Sequence, residues 1–331
     1  GSVHYLRELC GSDDGQVQVT RDGGTTWTNL TPKISGVPKW AYVSKVEPSK
    51  FSEATVYLTF DAHRTGDYGS YLYSSSDYGN SWRSIVGNLP RGEVARSITE
   101  DVKNADVLYL ATENGLYATT DRGKAWVRVR ANLPTVPIYE ITLHPRDNAM
   151  ILATHGRAIW VLDDLAPFQE HAKAQMGAGH VYSPAPVYQQ TNAGFRYYGS
   201  QGDMQFLGPN PVRGATIRYH LAAKADSARV VIKDNVGNVV REIKGDAMKD
   251  GLAAGMNSVT WDLQLEPIGI QPRLLQRAGN ELDDGFGFEL GRRQIDRNCQ
   301  LLRPCCGGAA RFTQHQGTDL VDKVNILGYR N

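Results

Sequence analysis

Three octets with the same residue spacing occur in the first half of the chain. They are TRDGGTTW at 20–27, SSDYGNSW at 75–82 and TTDRGKAW at 119–126, and all fit S/T-x-D-x-G-x-x-W. An aspartate accepts N–H bonds across its own turn, glycine adopts backbone that other residues avoid, and tryptophan buries a large ring. The octet therefore predicts a turn repeated for structural reasons. The three aspartates are not expected to converge on one substrate, because radial repetition holds them apart.

The sequence around the octets repeats as well. Residues 107–134 align with 55–90, and the start of the chain aligns with the later half of this unit. Residues 138–164 begin a further copy of the unit, which lacks the Gly and Trp of the octet. In the third unit, four alternating runs stand between turns: ARSITE, DVLYLAT, GLYATT and AWVRVR. Four strands in about 45 residues are typical of a propeller blade. We predict an all-β chain with a partial β-propeller of about three and a half four-stranded blades and a second β-sandwich domain.

The octets resemble the Asp-box motif, or BNR repeat, of sialidases, sortilin-type propellers and xyloglucanase-like glycosidases. The segment 10–170, which ends with THGRAIWVLDD, is most similar to the end of the propeller in large bacterial sortilin-like proteins labelled as BNR-repeat glycosyl hydrolases. The resemblance covers about half of the chain and implies a secreted or periplasmic bacterial protein. The Arg-Ile-Pro motif of sialidases is absent from the sequence, so sialidase activity is not predicted.

The turns between the second and third strand of each unit should lie at the opposite end of the blades from the Asp boxes, because successive strands run in opposite directions. The connections from one blade to the next, which include Trp40 and Tyr139, should lie at the same end. We call this end the polar rim. Its turns are SDDG (12–15), DAHRTGDYG (61–69), TENG (112–115) and THGR (154–157). Ligands usually bind at such a mouth. We predict His63, Asp61, Glu113 and His155 as catalytic candidates, and as ligand-binding candidates Asp14, Arg64, Asp67, Arg157 and Trp40.

Three functions fit this rim. The first is a binding module for a polysaccharide or an extended peptide. The second is a hydrolase: His63, His155 and Glu113 would hold a divalent metal that activates water against a small ester or phosphoester, or Asp61 and Glu113 would act as acid and base on a glycosidic bond. No H-E-x-x-H spacing supports the metal, and no other cofactor is predicted. The third is a structural segment of a larger secreted protein.

The composition limits the partners. The 331 residues carry a formal net charge of +1, so no global field attracts nucleic acid. No apolar run approaches the ~18 residues of a membrane-spanning helix. Three and a half blades leave a propeller open and its sheet faces exposed. We therefore expect a homo-oligomer in which partial propellers complete one another, or a second domain that covers the gap.

The sequence divides into a propeller segment at 1–166, a linker at 167–204, an immunoglobulin-like β-sandwich at 205–270 and an irregular tail at 271–331. Prolines mark the linker, and the alternating runs ATIRYHLA, ARVVIKDNVGNVVREIKG and NSVTWDLQLEP mark the sandwich, with a hairpin turn at Gly237 and Asn238. GMNSVTWDL resembles the immunoglobulin-like module of bacterial secreted proteins. Both ends of the chain depart from these patterns, which predicts a C-terminal fragment of a larger protein. The four cysteines form no paired zinc pattern, and their disulfide pairing stays open.

Overall fold

The computed structural model describes residues 8–187, residues 213–265 and the backbone of 325–326. It divides into two compact units, Gly1–Ala185 and Pro186–Asn331. In the described residues nearly all regular structure is β-strand, and the helices are short. The prediction of an all-β chain is confirmed.

The first unit contains four antiparallel sheets whose strands are neighbours in chain order. The first sheet contains β1 (Glu8–Gly11), β2 (Val17–Thr20) and β3 (Thr28–Asn29). The second sheet contains β4 (Tyr42–Pro48), β5 (Val56–Asp61), β6 (Tyr71–Ser75) and β7 (Arg83–Ser84). The third sheet contains β8 (Ala95–Glu100), β9 (Leu108–Thr112), β10 (Gly115–Thr119) and β11 (Val127–Val129). The fourth sheet contains β12 (Ile138–His144), β13 (Ala149–Thr154) and β14 (Ile159–Leu162). Two complete blades thus stand between two three-stranded ones, which confirms the partial propeller.

Successive sheets pack against each other through buried apolar clusters. Strand β9 shows how one strand serves two neighbours. Leu108 and Leu110 belong to the cluster shared with the second sheet, whereas Tyr109 and Ala111 belong to the cluster shared with the fourth. Successive residues of a strand point to opposite faces, so a strand that is apolar at every position is buried on both sides. Each fully buried leucine contributes about 1.5–3 kcal/mol to folding.

The three octets form the predicted turns, each between the last two strands of its sheet. In the second sheet, Asp77 Oδ1 accepts the Ser75 hydroxyl at 2.8 Å and the Ser81 N–H at 2.9 Å, while the Gly79 N–H donates to Ser75 Oγ at 2.9 Å. The same bonds recur around Asp22 and Asp121. The aspartates are turn formers, as the octet predicted.

The first strand of the second, third and fourth sheets (β4, β8 and β12) carries a β-bulge near its start. The pairing register skips Ser44 in β4, Arg96 in β8 and Tyr139 in β12. A bulge adds a residue to one strand, increases its twist and redirects a side chain. The bulges lie at the polar rim, because each stands beside the last residues of the second strand. They therefore set the direction of the side chains that build the candidate site.

The segment after the fourth sheet, within the predicted linker, begins with regular structure: α1 (Ala166–Gln169), α2 (His171–Gln175) and β15 (Gly179–Val181). The Phe168 ring meets Tyr109 edge-on at 5.7 Å, and the Gln169 amide donates to both oxygens of the buried Asp101 at 3.0–3.1 Å. These contacts fix the start of the segment to the third sheet, and the first compact unit continues to Ala185.

The second unit contains β16 (Ala215–Leu221), β17 (Val230–Lys233), β18 (Val239–Ile243), β19 (Gly255–Trp261) and β20 (Asn325–Ile326). Strand β16 pairs with β19, and β17 pairs with β18 and β20. Gly237 has a φ of 95°, and Asp234 accepts the N–H groups of Val236 and Asn238, so the predicted hairpin is confirmed. The immunoglobulin-like assignment stays a prediction, and most of the predicted tail lies outside the described residues.

Candidate functional site

The predicted turns of the polar rim lie at equivalent places in successive blades. The N–H of Glu113 donates to Val94 O at 3.0 Å, and the N–H of His155 donates to Pro137 O at 2.9 Å. These bonds tie the second turn of each blade to the connection that enters it. Asp61 ends β5 in the preceding blade, opposite Tyr42 at the start of β4. The rim thus brings one ionisable side chain from each of three consecutive blades to a similar height.

Arg96 joins two of these side chains. Its Nη1 lies 2.5 Å from Asp61 Oδ2 in the second sheet, and its Nε and Nη2 lie 3.0 and 2.5 Å from Glu113 Oε2 in the third. The Asp61 side chain is 2% exposed and that of Arg96 10%. A buried carboxylate is stable when it is paired and hydrogen-bonded, and the planar guanidinium donates in several directions at once. Arg96 therefore fixes the two turns relative to each other.

His63 lies in the inserted turn of the second blade. It begins a 3-10 helix, His63–Thr65, and its N–H donates to Asp61 Oδ1 at 2.9 Å. Its ring Nδ1 lies 2.6 Å from the same oxygen. Both oxygens of Asp61 are thereby engaged, Oδ1 by His63 and Oδ2 by Arg96. The imidazole is a third exposed, and Nε2 is the ring nitrogen that Asp61 does not contact.

Aromatic rings surround the ionic network. The Arg96 guanidinium lies 5.0 Å from the centroid of Tyr139, whose ring is tilted against that of His155 at 5.4 Å. Such a position favours cation–π attraction. Arg64 lies 5.5 Å from the Tyr42 ring in the same way. The fourth blade thus enters the network through its bulge residue Tyr139, and His155 lies beside that ring.

Trp40 is the most exposed tryptophan of the polar rim. It precedes β4, is 69% exposed and has a φ of 68°. A bulky residue with positive φ is an outlier, and such strain clusters at functional positions. Tyr68 in the inserted turn and Tyr139 are 60% and 47% exposed. The rim therefore presents aromatic surface to solvent beside a fixed set of charges.

A further ion pair joins the first strands of two sheets. Lys45 and Glu140 each follow the bulge of their strand by one residue, and the Lys45 Nζ atom lies 2.7 Å from Glu140 Oε1. The pair connects β4 of the second sheet with β12 of the fourth, across the third. Ser97 holds the equivalent position in β8, and its buried hydroxyl has no partner among the described residues.

Three predicted ligand-binding residues have local roles. Asp14 accepts the Ser12 hydroxyl, whose donation lowers the pKa of that carboxyl. Asp67 accepts the Gly69 N–H and the Tyr71 hydroxyl, both at 2.8 Å; burial and this bond raise the pKa of Tyr71 to about 12. The carbonyl of Arg157 accepts the Trp160 indole N–H at 2.8 Å. These contacts shape the turns.

The predicted metal ligands His63, His155 and Glu113 lie around Arg96 and Tyr139, which stand among them. Within the described part of the chain, no three His, Cys, Asp or Glu side chains form a group that could hold a metal ion. The guanidinium already occupies the space between the carboxylates of Asp61 and Glu113. The structure thus brings Asp61, His63 and Glu113 together around the guanidinium of Arg96.

Sequence reasoning missed Arg96, the centre of the network. It lies in the run ARSITE, where alternation predicts a plain strand. A register skip in β8 turns its side chain to the rim. Its alignment with Tyr139, which the sequence places in a blade connection at the polar rim, could have indicated this position.

Residues 70–183, about a third of the chain, match the protein-family model described as Sortilin-Vps10, "Sortilin, neurotensin receptor 3". The match runs from the second blade to β15 and confirms the resemblance to Asp-box propellers of the sortilin type. No curated protein sequence matches the chain.

Several solved structures are similar at low identity. YCF48 bound to D1 peptide is 16% identical with a TM-score of 0.36, covering 48% of each chain. The GH74 xyloglucanase from Xanthomonas campestris is 12% identical with a TM-score of 0.40, covering 75% of this chain and 37% of its own. PorZ of Porphyromonas gingivalis, a component of the type-IX secretion system, is 14% identical with a TM-score of 0.39, covering 76% and 31%. The chain spans less than half the length of each, and the fold assignment rests on the sheets and the Asp boxes.

Proposed function

We propose that the polar rim binds a polysaccharide or an extended peptide. The observation that carries this proposal is the network around Arg96, which fixes turns of three blades beside exposed aromatic rings. Aromatic side chains provide a large contact area at low entropic cost, and preorganised polar groups provide direction. Trp40, Tyr68 and Tyr139 would supply the contact area, and the outward edges of Glu113 and His155 would supply hydrogen bonds.

The same network argues for binding over glycoside hydrolysis by a carboxylate pair. An acid and a base acting on a glycosidic bond flank the sugar, and in inverting enzymes they leave room for water between them. Asp61 and Glu113 instead flank the guanidinium of Arg96, which binds both. Asp61 has neither oxygen unengaged. A substrate would therefore contact the rim from outside this pair.

The test is a titration of the whole chain with soluble β-glucans, including xyloglucan, and with unstructured peptides, followed by calorimetry. Both classes serve as probes because a xyloglucanase and a peptide-bound protein are among the similar structures. Trp40→Ala and Tyr139→Ala should each weaken binding about tenfold or more, as removal of an aromatic anchor does.

Phe51→Ala is the matched control. Phe51 is 47% exposed, as is Tyr139, but it follows β4 at the Asp-box end. Its removal should leave affinity unchanged. Equal losses for all three variants, or tight binding that none of them alters, would place the ligand elsewhere.

A second candidate function is hydrolysis with His63 as the general base. The buried Asp61 holds His63 Nδ1 at 2.6 Å, the arrangement by which a carboxylate orients a catalytic imidazole. His63 Nε2 would then accept the proton of an attacking water.

A panel of ester, phosphoester and glycoside substrates, measured before and after a chelator, tests this candidate and the metal-assisted variant together. His63→Gln should abolish any activity that depends on this base, while His171→Gln, a histidine of α2, should not. Activity that survives His63→Gln would exclude His63, and activity lost with the chelator would favour a metal.

A further inference from the structure

A small polar cavity lies beside β11, the outermost strand of the third sheet. It has a volume of about 150 Å³, and its lining includes Arg128, Arg130 and Thr135 together with Gly115 of the polar rim. Among the described residues that line it, none is an aspartate or a glutamate. Two cationic side chains therefore share a space that contains no carboxylate from its own walls.

The protein holds Arg128 in a fixed position. Its Nη2 donates to Asn114 O at 2.7 Å and lies 3.3 Å from Thr135 Oγ1. The guanidinium lies against Gly115, where a Cβ would be 3.5 Å from Nη2 and 3.7 Å from Nε. Its Nε and Nη1 donate to no acceptor in the described part of the chain, so these two nitrogens are available to a ligand.

Arg130 directs its charge to the same side of the sheet. It follows β11 two residues after Arg128, and side chains two residues apart on an extended chain share a face. Tyr117 pairs with Arg128 across the strands, and its hydroxyl donates to Glu93 Oε1 at 2.8 Å. Burial and this bond raise the pKa of Tyr117 to about 12, and both arginines oppose the rise. The two guanidinium groups thus act on one hydroxyl from the same face.

The positive charge here exceeds the negative charge. Neither Arg128 nor Arg130 has an ion-pair partner among residues 8–187 or 213–265. The carboxylate that acts on the same hydroxyl, Glu93, is 6% exposed and does not line the cavity. One buried carboxylate beside two guanidinium groups leaves a surplus of one positive charge.

The turn that follows β11 is strained where it lines the cavity. The Leu133 N–H donates to Arg130 O at 2.9 Å and closes the turn. Ala131, within this turn, has a φ of 34°, which a residue with a Cβ rarely adopts. Such strain clusters at ligand sites. The turn thus adds a second feature of a binding site to the two arginines.

We propose that this cavity binds a tetrahedral oxyanion, either as the free ion or as a sulfate or phosphate ester of a larger molecule. A guanidinium is planar and weakly hydrated, and it pairs with such oxyanions through two parallel N–H bonds. A carboxylate has two oxygens, which one arginine satisfies, whereas a tetrahedral oxyanion has oxygens for both Arg128 and Arg130. None of the side chains assigned to the proposed ligand of the rim takes part, so this site and the proposed function can fail separately.

Calorimetric titration of the full chain at constant ionic strength tests this proposal. The probes are inorganic sulfate, inorganic phosphate and dextran sulfate, with uncharged dextran as the reference. The wild type should bind an oxyanion probe more tightly than dextran. Binding of the inorganic ions would support a free-ion site, and binding confined to dextran sulfate would support a site for an ester on a polymer. Arg130→Gln should weaken binding about tenfold or more, because it removes charged hydrogen bonds.

Arg83→Gln is the matched control. Arg83 is an exposed arginine of β7, the outermost strand of the second sheet, and its replacement changes the net charge by the same amount. It should leave the affinity unchanged, and circular dichroism shows whether both variants keep their strands. No binding of any oxyanion probe beyond that of dextran, or equal losses for Arg130→Gln and Arg83→Gln, would overturn the proposal.

Discussion

The Asp-box turns and the polar rim occupy opposite ends of the same strands and are built in opposite ways. Every Asp box uses the same residue types for the same bonds, and the bonds around Asp77 stay within its own turn. At the rim the equivalent bulge residues Ser44, Arg96 and Tyr139 all differ, and Arg96 bonds across to Asp61 of the preceding blade. Repetition thus marks what each blade needs to fold. Divergence with contacts between blades marks the end at which we propose that a ligand binds.

The largest expected effect compares the tryptophans of two Asp boxes, one packed against the neighbouring blade and one largely exposed. Trp126 is 3% exposed, and its indole N–H donates to Ile85 O of the second blade at 2.8 Å, whereas Trp27 is 44% exposed. Trp126→Ala should lower the free energy of unfolding by about 3–5 kcal/mol through loss of buried volume. Trp27→Ala should cost less than about 1 kcal/mol. Urea unfolding followed by circular dichroism measures both, and equal losses would contradict the role of the docked ring.

The next effect tests the coupling of blades at the rim. Arg96→Met leaves the carboxylate of Asp61 buried without its cation, which should cost about 3 kcal/mol. Asp61→Asn in the same chain should recover part of this loss, because the two changes act on one contact. A double-mutant cycle of unfolding free energies gives the coupling, and strict additivity would mean that Arg96 and Asp61 do not act as a pair.

A smaller effect compares two glycines. Gly79 in the Asp box and Gly92 at the rim have φ values of +80° and +86°. An alanine Cβ at Gly79 would lie 2.6 Å from Leu30 Cδ1 of the first blade, and one at Gly92 would meet no atom within 4 Å. Gly92→Ala should cost about 1 kcal/mol from backbone strain. Gly79→Ala should cost at least about 1 kcal/mol more from overpacking, and thermal unfolding ranks the two.

The smallest effect is on pH dependence. The Ser81 hydroxyl, the Ser81 N–H and the Ser75 hydroxyl lower the pKa of Asp77 from 3.8 to about 2. Since the folded pKa lies below the unfolded one, the charged carboxylate stabilises the fold above pH 3.8, and this contribution is lost as pH falls through about 2. Asp77→Asn should flatten the fall in stability over this window. Unfolding free energies measured across acidic pH test this, and an unchanged pH dependence would contradict it.

The sequence predicted the architecture well, because Asp-box bonds and strand alternation are local. The turn around Asp77 and the hairpin at Gly237 depend on residues at most a few positions apart. The candidate site was only partly predictable. Asp61, His63 and Glu113 were found because turns are visible in sequence, but Arg96 lies inside a strand, and a single-residue register skip brings it to the rim.

The ion pair between Lys45 and Glu140 has a consequence for the order of folding. Its partners are 95 positions apart in sequence, whereas the side-chain bonds of each Asp box span at most four. Short loops close at small entropic cost, and local contacts form fast. The outer hairpins can therefore close early and independently, while the pair forms only after the second, third and fourth blades have stacked. A chain in which Lys45 contacts Glu140 has already stacked these three blades, so the polar rim is complete only after the separate turns have formed.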